Sequence, residues 1–361
     1  MPAIAPLTAR LDARLASVPA KIVAALGEID QHKGRWIAES TLSPQLLHRL
    51  KRSVLVISTG ASTRIEGSTL TDAQVAKLIQ GLAVQTLANR DEQEVRGYFE
   101  LLQNVFEAWD RIPFTEGSVK HLHRELLKYV EKDVHHRGDY KHTENQVRLV
   151  DPKSTDLGVV FDTAPAFLTP AEMAELIEWV RRAFTQKTHH PLLIIANFVV
   201  EFLAIHPFED GNGRLSRLLT NLLLLKQGYH FAPYVSHEKL VEDRKGAYYV
   251  ALRNSQKTFK TRRESIVAWL EFFVPLVLQQ ATHAITLLAS DDIERVLSPK
   301  QLAVWRYLNG VDTASPRQIV QGTGIRRPTV NQALQKLMTL QRIQRIGEGS
   351  AIRYRVAPSA V

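Results

Sequence analysis

The chain has 361 residues, 45% of them hydrophobic, and contains no cysteine. This length exceeds what one hydrophobic core usually serves, so we expect two or three domains. The absence of cysteine excludes disulfide frameworks, thiolate metal sites and cysteine nucleophiles, and it favours a cytoplasmic location. Charged residues interrupt the apolar start of the chain, and the longest apolar run is too short to span a bilayer. We therefore expect neither a signal peptide nor a membrane partner.

The net charge of +9 is unevenly distributed along the sequence. Residues 294–361 hold eleven lysines and arginines against three acidic residues, so they carry almost all of the excess positive charge. A basic module of this kind favours a polyanionic partner such as DNA, whereas the rest of the chain is close to neutral.

Apolar residues recur at a spacing of three or four along most of the chain, which predicts helices. In chain order these are 47–56, 72–87, 91–108, 115–129, 169–184, 192–206, 214–227 and 265–288. Two short segments rich in β-branched residues, 146–150 and 157–163, predict strands. The helix 192–206 is apolar almost all round, which predicts a central place in the core. The expected fold is therefore mainly α-helical with a short β-hairpin.

The last segment predicts a separate module beyond a boundary near 289–297. Predicted helices at 299–309, 315–321 and 327–340 precede two strands across residues 347–349, the order of a winged helix-turn-helix. Its candidate nucleic-acid contacts, on the third helix and the hairpin, are Arg326, Arg327, Asn331, Gln332, Arg345 and Arg353. Winged helices also dock proteins or dimerise, so DNA binding and a homodimer both remain open.

The most informative stretch is residues 206–217, His-Pro-Phe-Glu-Asp-Gly-Asn-Gly-Arg-Leu-Ser-Arg. Glycines between two helices let backbone N–H groups face a concave pocket, and a helix N-terminus binds phosphate oxygens. Arg214 and Arg217 lie on one helical turn and could clamp a polyphosphate together. Asp210 is a hard oxygen ligand suited to Mg²⁺ between two phosphates. His206 could take a proton from an incoming hydroxyl.

Each of these residues also has a simpler structural interpretation. A Gly-Asn-Gly turn is a common corner between helices, Asp210 could cap the second helix, and His206 could be a satisfied core histidine. A plain corner needs neither two arginines nor an acid and a histidine at one turn. The combination therefore favours a nucleotide phosphate site.

The stretch resembles the Fic family signature, His-x-Phe-x-(Asp/Glu)-Gly-Asn-Gly-(Arg/Lys)-x-x-Arg, and meets every specified position. The resemblance implies a helical Fic fold and an enzyme that transfers AMP from ATP to a Ser, Thr or Tyr hydroxyl of a target protein or of itself. It implies His206 as general base, Asp210 as the Mg²⁺ ligand and Phe208 as a packing anchor. The residues of this stretch implied to bind ATP are Asp210, Gly211, Asn212, Gly213, Arg214, Leu215, Ser216 and Arg217.

Within that family, the glycine at position 213 is informative. A Doc-like branch that transfers the γ-phosphoryl group has lysine there, so Gly213 favours AMP transfer.

Residues 62–67 resemble the inhibitory motif (Ser/Thr)-x-x-x-Glu-(Gly/Asn) of Fic proteins. Taken alone, residues 63–66 also match a helix capping box. Together with the signature, the resemblance implies that Ser62, Glu66 and Gly67 are inhibitory. Glu66 would border the ATP site, reach Arg217 and hold ATP in a non-productive pose. The chain would then be an autoinhibited adenylyltransferase that uses ATP and Mg²⁺.

Three further segments resemble parts of Fic proteins. A flap strand that docks the target by β-pairing is matched by Val160, Phe161, Asp162 and Thr163. Residues 138–141 resemble a Gly-x-(Tyr/Phe)-Arg element, with Lys141 in place of the arginine. The residues implied to lie near adenine and ribose are Tyr248, Tyr249 and Gln256, although ordinary packing is an equal alternative for the tyrosines.

We therefore expect an N-terminal helical region with the inhibitory helix (1–95), a Fic catalytic domain (96–290) and a winged helix-turn-helix domain (294–361). The alternative is a DNA-binding regulator whose Fic core senses a nucleotide or removes AMP. The intact His206 favours the enzyme, because binding alone needs no base.

Overall fold

The computed structural model describes residues 5–39, 44–81, 87, 89–150, 156–340, 342–347 and 352–357. They belong to two compact units, Met1–Ile285 and Thr286–Val361. The predicted regions 1–95 and 96–290 share the first unit, so their division remains a functional prediction. Within the described ranges, no helix is long and apolar enough to cross a membrane.

The first unit is mainly helical, as predicted. Its helices are α1 (Leu7–Arg14), α2 (Ala20–Glu39), α3 (Pro44–Ile65), α4 (Asp72–Gly81), α5 (Arg90–Ala108), α6 (Glu116–Leu126), α7 (Thr169–Gln186), α8 (Pro191–Ile205), α9 (Asn212–Lys226), α10 (His237–Glu242) and α11 (Lys245–Gln256). Helix α12 (Val267–Val296) begins in this unit and continues past its last residue, Ile285. Strands β1 (Gln146–Val150) and β2 (Asp156–Asp162) pair antiparallel and form the hairpin that we call the flap.

Helices α8 and α9 form the centre of this unit. Thirteen of the 15 residues of each helix are buried. The other helices surround this pair: α7 and α11 pack on α8, and α5 packs on α9. The central position predicted for the 192–206 helix is confirmed, and the signature loop lies between two rigid, buried helices.

Two polar residues inside α8, Asn197 and Glu201, bind the N-terminal helix α1. Arg14 of α1 donates to the Asn197 Oδ1 atom at 3.2 Å, and its Nη2 atom lies 2.6 Å from Glu201 Oε2. Arg14 and Arg10 also pair with Glu264, which precedes α12. A buried charge needs a close partner of opposite sign, and here each acid has one. The first helix is thereby anchored in the core of the unit.

Two helices are longer than the sequence predicts. The predicted 47–56 helix extends to Pro44–Ile65, through the small residues Ser58, Thr59 and Ala61. These side chains are buried where α3 packs on α5 and α10, and this packing outweighs the weak helix propensities of Ser58 and Thr59. The predicted 265–288 helix likewise continues to Val296.

The second unit has its own core around Val304, Leu308, Ile319, Val330 and Leu334. Its elements are α13 (Pro299–Asn309), α14 (Pro316–Thr323), α15 (Arg327–Thr339) and the antiparallel strands β3 (Ile343–Ile346) and β4 (Arg353–Val356). Capping boxes at Ser298 and Ser315 begin the first two helices. The elements follow the predicted order, and their assignment as a winged helix-turn-helix stays a prediction.

Candidate active site

The signature loop leaves α8 at His206 and enters α9 at Gly211. His206 has left-handed backbone angles, φ 51° and ψ 62°, and its N–H donates to Phe202 O at 2.9 Å, which ends α8. Gly211 is also left-handed, with φ 79°, and precedes the first turn of α9. A left-handed non-glycine residue costs about 1–2 kcal/mol, so the surrounding contacts must hold His206 in place.

Asn212 and Phe208 fix the shape of the loop from inside. The Asn212 side chain accepts from Phe208 N at 3.0 Å and donates to Phe208 O at 2.8 Å. The buried Phe208 ring stacks on His123 with centroids 3.8 Å apart. Phe208 is thus a packing anchor. Both polar groups of the Asn212 side chain are used within the loop, and the predicted part of Asn212 in ATP binding stays a prediction.

His206 carries an imidazole suited to act as a base. Its Nδ1 atom lies 3.3 Å from Leu203 O, so a proton on Nδ1 donates to that carbonyl and leaves Nε2 with a lone pair. Burial, together with the nearby Lys141 charge, lowers the pKa of His206 to about 4. The ring is therefore neutral at physiological pH and can accept a proton.

Arg217 is held by the C-terminal end of α3. Its Nε and Nη2 atoms donate to Ser62 Oγ and Ser62 O, both at 3.0 Å, and Nη2 lies 2.7 Å from Glu66 Oε1. The Arg217 side chain is 3% exposed and that of Glu66 31%. Burial alone would lower the pKa of Arg217, but the Glu66 carboxylate raises it above its ordinary value. The predicted contact between residues 66 and 217 is present.

The Glu66 carboxylate also covers the first turn of α9. A Cβ atom placed on Gly213 would lie 2.1 Å from Glu66 Oε1, so only glycine leaves room for this approach. An anion is favoured at a helix N-terminus by the free N–H groups and the helix dipole. Glu66 therefore occupies the position at which the signature predicts phosphate.

The segment that carries Glu66 is fixed by contacts on both sides. Gly67, with φ 110°, turns the chain after α3, and Arg64 binds both carboxylate oxygens of Glu242 at 2.6 and 3.1 Å. Thr63 lies in the last turn of α3 and donates to Thr59 O and Gly60 O. The capping-box interpretation of residues 63–66 is wrong, because they end a helix rather than begin one.

Asp210 lies among arginines at the other side of the loop. Its Oδ2 atom accepts from Arg90 Nη2 at 2.6 Å and from Arg214 Nη2 at 2.8 Å. Burial alone would raise the pKa of Asp210, but the two arginines lower it, so the carboxylate stays charged. Arg214 also pairs with Glu94 at 2.7 Å. Arg214 and Arg217 therefore bind different acids here instead of sharing one partner.

The sequence did not predict three residues that contact Asp210 or Arg214. His123 Nε2 lies 2.9 Å from Asp210 O, and Arg90 and Glu94 hold Asp210 and Arg214. Arg90 and Glu94 come from α5 and His123 from α6, far from the signature along the chain. The sequence contains no local pattern that connects them to it.

Two signature residues predicted to contact ATP, Leu215 and Ser216, make hydrogen bonds within the protein. Leu215 is fully buried, and its N–H already donates to Gly211 O at 2.9 Å. Ser216 is also buried and donates to Gly213 O at 2.8 Å. Both positions stabilise the start of α9, and their predicted contact with ATP stays a prediction.

The aromatic pair lies next to the end of α3. The Tyr248 ring is buried against Trp269, and it meets Tyr249 edge to face at 5.2 Å. The Tyr249 hydroxyl lies 3.5 Å from Ile65 O. Gln256 donates to Val200 O of α8 at 3.3 Å. Tyr248 and Gln256 therefore have packing partners, and Tyr249 is the member of this set adjacent to Glu66.

The flap follows the predicted strands closely. Val160, Phe161 and Asp162 lie in β2, and the backbone pairs Phe161 with Val147. Their side chains lie outside the described part of the structure. Thr163 comes just after β2 and donates to Asn145 O at 2.8 Å. The base of the flap is thus tied together at Thr163.

The six candidate nucleic-acid contacts of the second unit are all exposed, namely Arg326, Arg327, Asn331, Gln332, Arg345 and Arg353. Arg327 Nε donates to Asn331 Oδ1 at 3.2 Å, one turn along α15. Arg353 Nη1 donates to Thr313 Oγ1 at 3.2 Å. Their exposure leaves them accessible to a partner.

Residues 113–224, which contain this loop and both central helices, match the model of the Fic/DOC family. This segment of the chain is similar to the Fic/DOC family. The protein adenylyltransferase Fic of Drosophila willistoni is 30% identical over 189 residues, which is 51% of this chain and 34% of that protein. The Drosophila melanogaster relative is also 30% identical, over 35% of its length. The chain thus matches about a third of the length of these curated relatives.

Solved structures agree with the Fic assignment. A Fic family protein from Desulfovibrio desulfuricans G20 has a TM-score of 0.62 and 26% identity, covering 96% of this chain and 99% of that one. A Fic domain containing signaling protein from Bacteroides thetaiotaomicron, at 24% identity, has a TM-score of 0.59 over 73% of this chain and 97% of its own, and it supports the fold alone. The predicted Fic helical fold with a β-hairpin is confirmed.

Proposed function

We propose that this chain is an autoinhibited protein adenylyltransferase, which transfers AMP from ATP to a Ser, Thr or Tyr hydroxyl of a target protein or of itself. The name of its curated relatives and the complete signature support AMP transfer. The single observation that carries autoinhibition is the Glu66 carboxylate, which pairs with Arg217 and covers Gly213.

The proposed reaction is an in-line displacement at the α-phosphorus of ATP. His206 Nε2 takes the proton of the target hydroxyl, the oxygen bonds to phosphorus, and the bond to the pyrophosphate leaving group breaks. Arg214, Arg217 and the N-terminus of α9 stabilise the charge on the β- and γ-phosphates. Catalysis would rest on positioning and electrostatics rather than on a covalent enzyme intermediate.

Asp210 is the residue proposed to hold Mg²⁺. The described residues form no group of three or more metal ligands, so an ion here would take its remaining ligands from phosphate oxygens and water. A charged carboxylate beside the phosphate site fits such an ion, which would neutralise phosphate charge when bound. Arg90 and Arg214 share the Oδ2 atom of Asp210 in this structure, so a bound cation would compete with them for this carboxylate.

The Glu66 contact would inhibit by occupying two phosphate-binding groups at once. The γ-phosphate needs the Arg217 guanidinium and the N-terminus of α9, and both are covered by one carboxylate. ATP that binds beside Glu66 would lack these contacts, so its α-phosphorus would be misplaced for His206. Small misplacements of reacting groups cost about 100-fold in rate.

Labelled ATP tests the reaction class directly. The Glu66→Gly variant should incorporate label from ATP labelled at the α-phosphate and not from ATP labelled at the γ-phosphate. Glu131→Gly, at an exposed glutamate on a 3₁₀ turn, is the matched control and should behave as the parent. Label from the γ-phosphate would show phosphoryl transfer instead, and absence of both labels would contradict the proposed enzyme.

A second candidate is an AMP-removing or nucleotide-sensing core in a DNA-binding regulator. Glu66 could position a water molecule in the reverse reaction, so the same residues permit AMP removal. Incubating an adenylylated protein with the parent chain separates the two directions: release of AMP by the parent but not by Glu66→Gly would favour removal.

DNA binding by the second unit is supported by its exposed basic residues on α15 and the hairpin. We propose duplex DNA as the partner, with residues 294–361 as a winged helix-turn-helix that places the catalytic region, residues 96–290, on its target. Protein docking and a homodimer are the alternatives, and sedimentation of the chain without DNA tests the dimer.

A mobility-shift titration across a salt series tests the DNA proposal. Affinity should fall steeply with salt, with a slope of about −0.9 per phosphate contact. The Arg326→Ala and Arg327→Ala double variant should weaken binding and flatten the slope. Arg181→Ala with Lys132→Ala removes the same charge from exposed sites of the first unit and should change neither. If both double variants lose DNA affinity equally, binding depends on overall positive charge rather than on the arginines of the second unit.

A further inference from the structure

Lys141 is a buried charged residue that the proposed reaction does not use. Its side chain is 2% exposed, and its Nζ atom donates to Asn145 Oδ1 at 2.8 Å, Thr163 Oγ1 at 2.8 Å and Ile205 O at 3.0 Å. An ammonium group has three protons, and these three acceptors use all of them. The lysine is therefore fully satisfied by neutral oxygens that belong to three different segments.

One of these segments is the backbone around His206. Lys141 Nζ binds the carbonyl of Ile205, and the Lys141 backbone N–H donates to the carbonyl of Pro207 at 2.8 Å. The two carbonyls flank His206, the left-handed residue of the loop. A single residue thus holds the peptide group that precedes the proposed base and the one that follows Pro207, on either side of a conformation that would otherwise be unfavourable.

The other two segments are the two ends of the flap. Asn145 immediately precedes β1 and Thr163 immediately follows β2, and both accept from Lys141 Nζ. Asn145 also donates to Phe208 O at 3.0 Å, within the signature loop. The base of the flap is therefore joined to the loop at two points, and Lys141 is common to the flap and to His206.

A purely structural requirement does not explain a lysine here. Burying an ammonium group is costly, and an apolar side chain of similar length would fill the same space without that cost. What the lysine adds is three directional contacts that fix three backbone segments relative to one another. Such fixing is useful if the reaction depends on the distance between the flap and His206.

We propose that Lys141 is a positioning residue that sets the distance between the flap and the His206 imidazole. This inference rests on the proposed role of His206 as general base. A target segment paired with the flap would present its hydroxyl to His206 at a distance that Lys141 fixes. The phosphate-binding arginines lie on α9 and do not contact Lys141, so ATP binding is independent of it.

The test compares Lys141→Met with Lys33→Met, both in the active Glu66→Gly background. Lys33 donates to Gln227 O at 2.7 Å, at the opposite end of α9, so the control loses a similar contact to a backbone carbonyl. We expect Lys141→Met to lower kcat for AMP transfer on the order of 100-fold, with KM for ATP unchanged. The control should keep the background kcat.

A spectroscopic measurement on His206 needs no activity. The charged groups acting on His206 are Lys141, Glu66 and Asp210, so replacing Lys141 removes the positive neighbour and should raise the imidazole pKa from about 4. Nuclear magnetic resonance titration of the His206 ring should show this rise in Lys141→Met and not in Lys33→Met. If the Glu66→Gly background transfers no AMP, the proposed function fails, while this titration still tests Lys141.

Thr163→Val is the second variant, in case Lys141→Met does not fold. It removes one flap-side acceptor, keeps the size of the side chain and leaves both contacts to the His206 backbone in place. We expect kcat to fall about tenfold with KM for ATP unchanged. The proposal is overturned if a folded Lys141→Met variant, or Thr163→Val in its place, keeps kcat within twofold of the background.

Discussion

At the scale of single residues, the signature divides into groups at the proposed phosphate site and groups that build the loop. Arg214, Arg217 and Asp210 hold charges at the start of α9, whereas Asn212 and Phe208 bind each other. The sequence motif contains both kinds without distinguishing them. Only the structure shows that the Asn212 amide is used twice within the loop.

Ser62 should contribute part of the inhibition, because its hydroxyl accepts from Arg217 Nε. Ser62→Ala removes this contact but leaves Glu66 and the Ser62 carbonyl in place. A hydrogen bond to a charged group contributes about 1.5–3 kcal/mol, so we expect partial release. Auto-modification rates should lie between those of the parent and Glu66→Gly. A rate equal to the parent's would assign Ser62 a packing role only.

Asn212→Ala should destabilise the first unit. It leaves the buried N–H of Phe208 without its partner, at a cost of about 1–3 kcal/mol, whereas the Phe208 carbonyl keeps its hydrogen bond from Asn145. Urea unfolding measures the change. Asn254→Ala, at an exposed asparagine of α11, is the control and should change the free energy of unfolding by less than about 0.5 kcal/mol. Equal stability of the two variants would contradict the assigned role.

At the scale of elements, the sequence predicts α8 well because its apolar run has one interpretation, a buried helix that ends at His206. It predicts α3 less well. The second half of α3 is made of small and polar residues that become helical through packing on α5 and α10, and no local pattern reports that packing. The residues proposed to be inhibitory lie at the end of this half. The sequence motif therefore indicated their contact with Arg217, although the sequence underestimates the length of the helix that supports it.

The attachment of α1 to α8 should depend on Arg14. Arg14→Leu leaves the buried Glu201 with Arg10 at 3.9 Å as its nearest charged partner, so we expect a loss of about 3–5 kcal/mol in the free energy of unfolding. Combining it with Glu201→Gln should recover part of the loss. Arg181→Leu, from an exposed pair with Glu178, should cost less than about 1 kcal/mol. Equal losses in the two arginine variants would argue against a buried anchor.

At the scale of the whole molecule, length predicts two or three domains, and the charge distribution predicts that the C-terminal one is basic. The mainly helical class and the flap also follow from periodicity. The partners of Asp210 and Arg214 do not, because Arg90, Glu94 and His123 come from α5 and α6 and meet the loop only after folding. Their positions depend on how the helices pack, which no spacing in the sequence encodes.

Stability of the first unit should fall in mild acid. Burial lowers the pKa of His123, His206 and His237 to about 4, whereas free imidazoles titrate near 6.5. Between these values the unfolded chain binds more protons, so the free energy of unfolding decreases as the pH falls, by up to about 1.4 kcal/mol per pH unit for each histidine. Urea unfolding at pH 7 and pH 5 measures this slope, and His237→Asn should reduce it. A flat profile would contradict neutral burial.

The central claim is that Glu66 restrains a competent transferase by covering Gly213 and binding Arg217. Intact-protein mass spectrometry after incubation with ATP and Mg²⁺ tests it most directly. The account predicts little modification of the parent, a mass increment of AMP on Glu66→Gly, and none on Glu66→Gly with His206→Ala. Equal modification of the parent and Glu66→Gly, or modification that persists without His206, would contradict it.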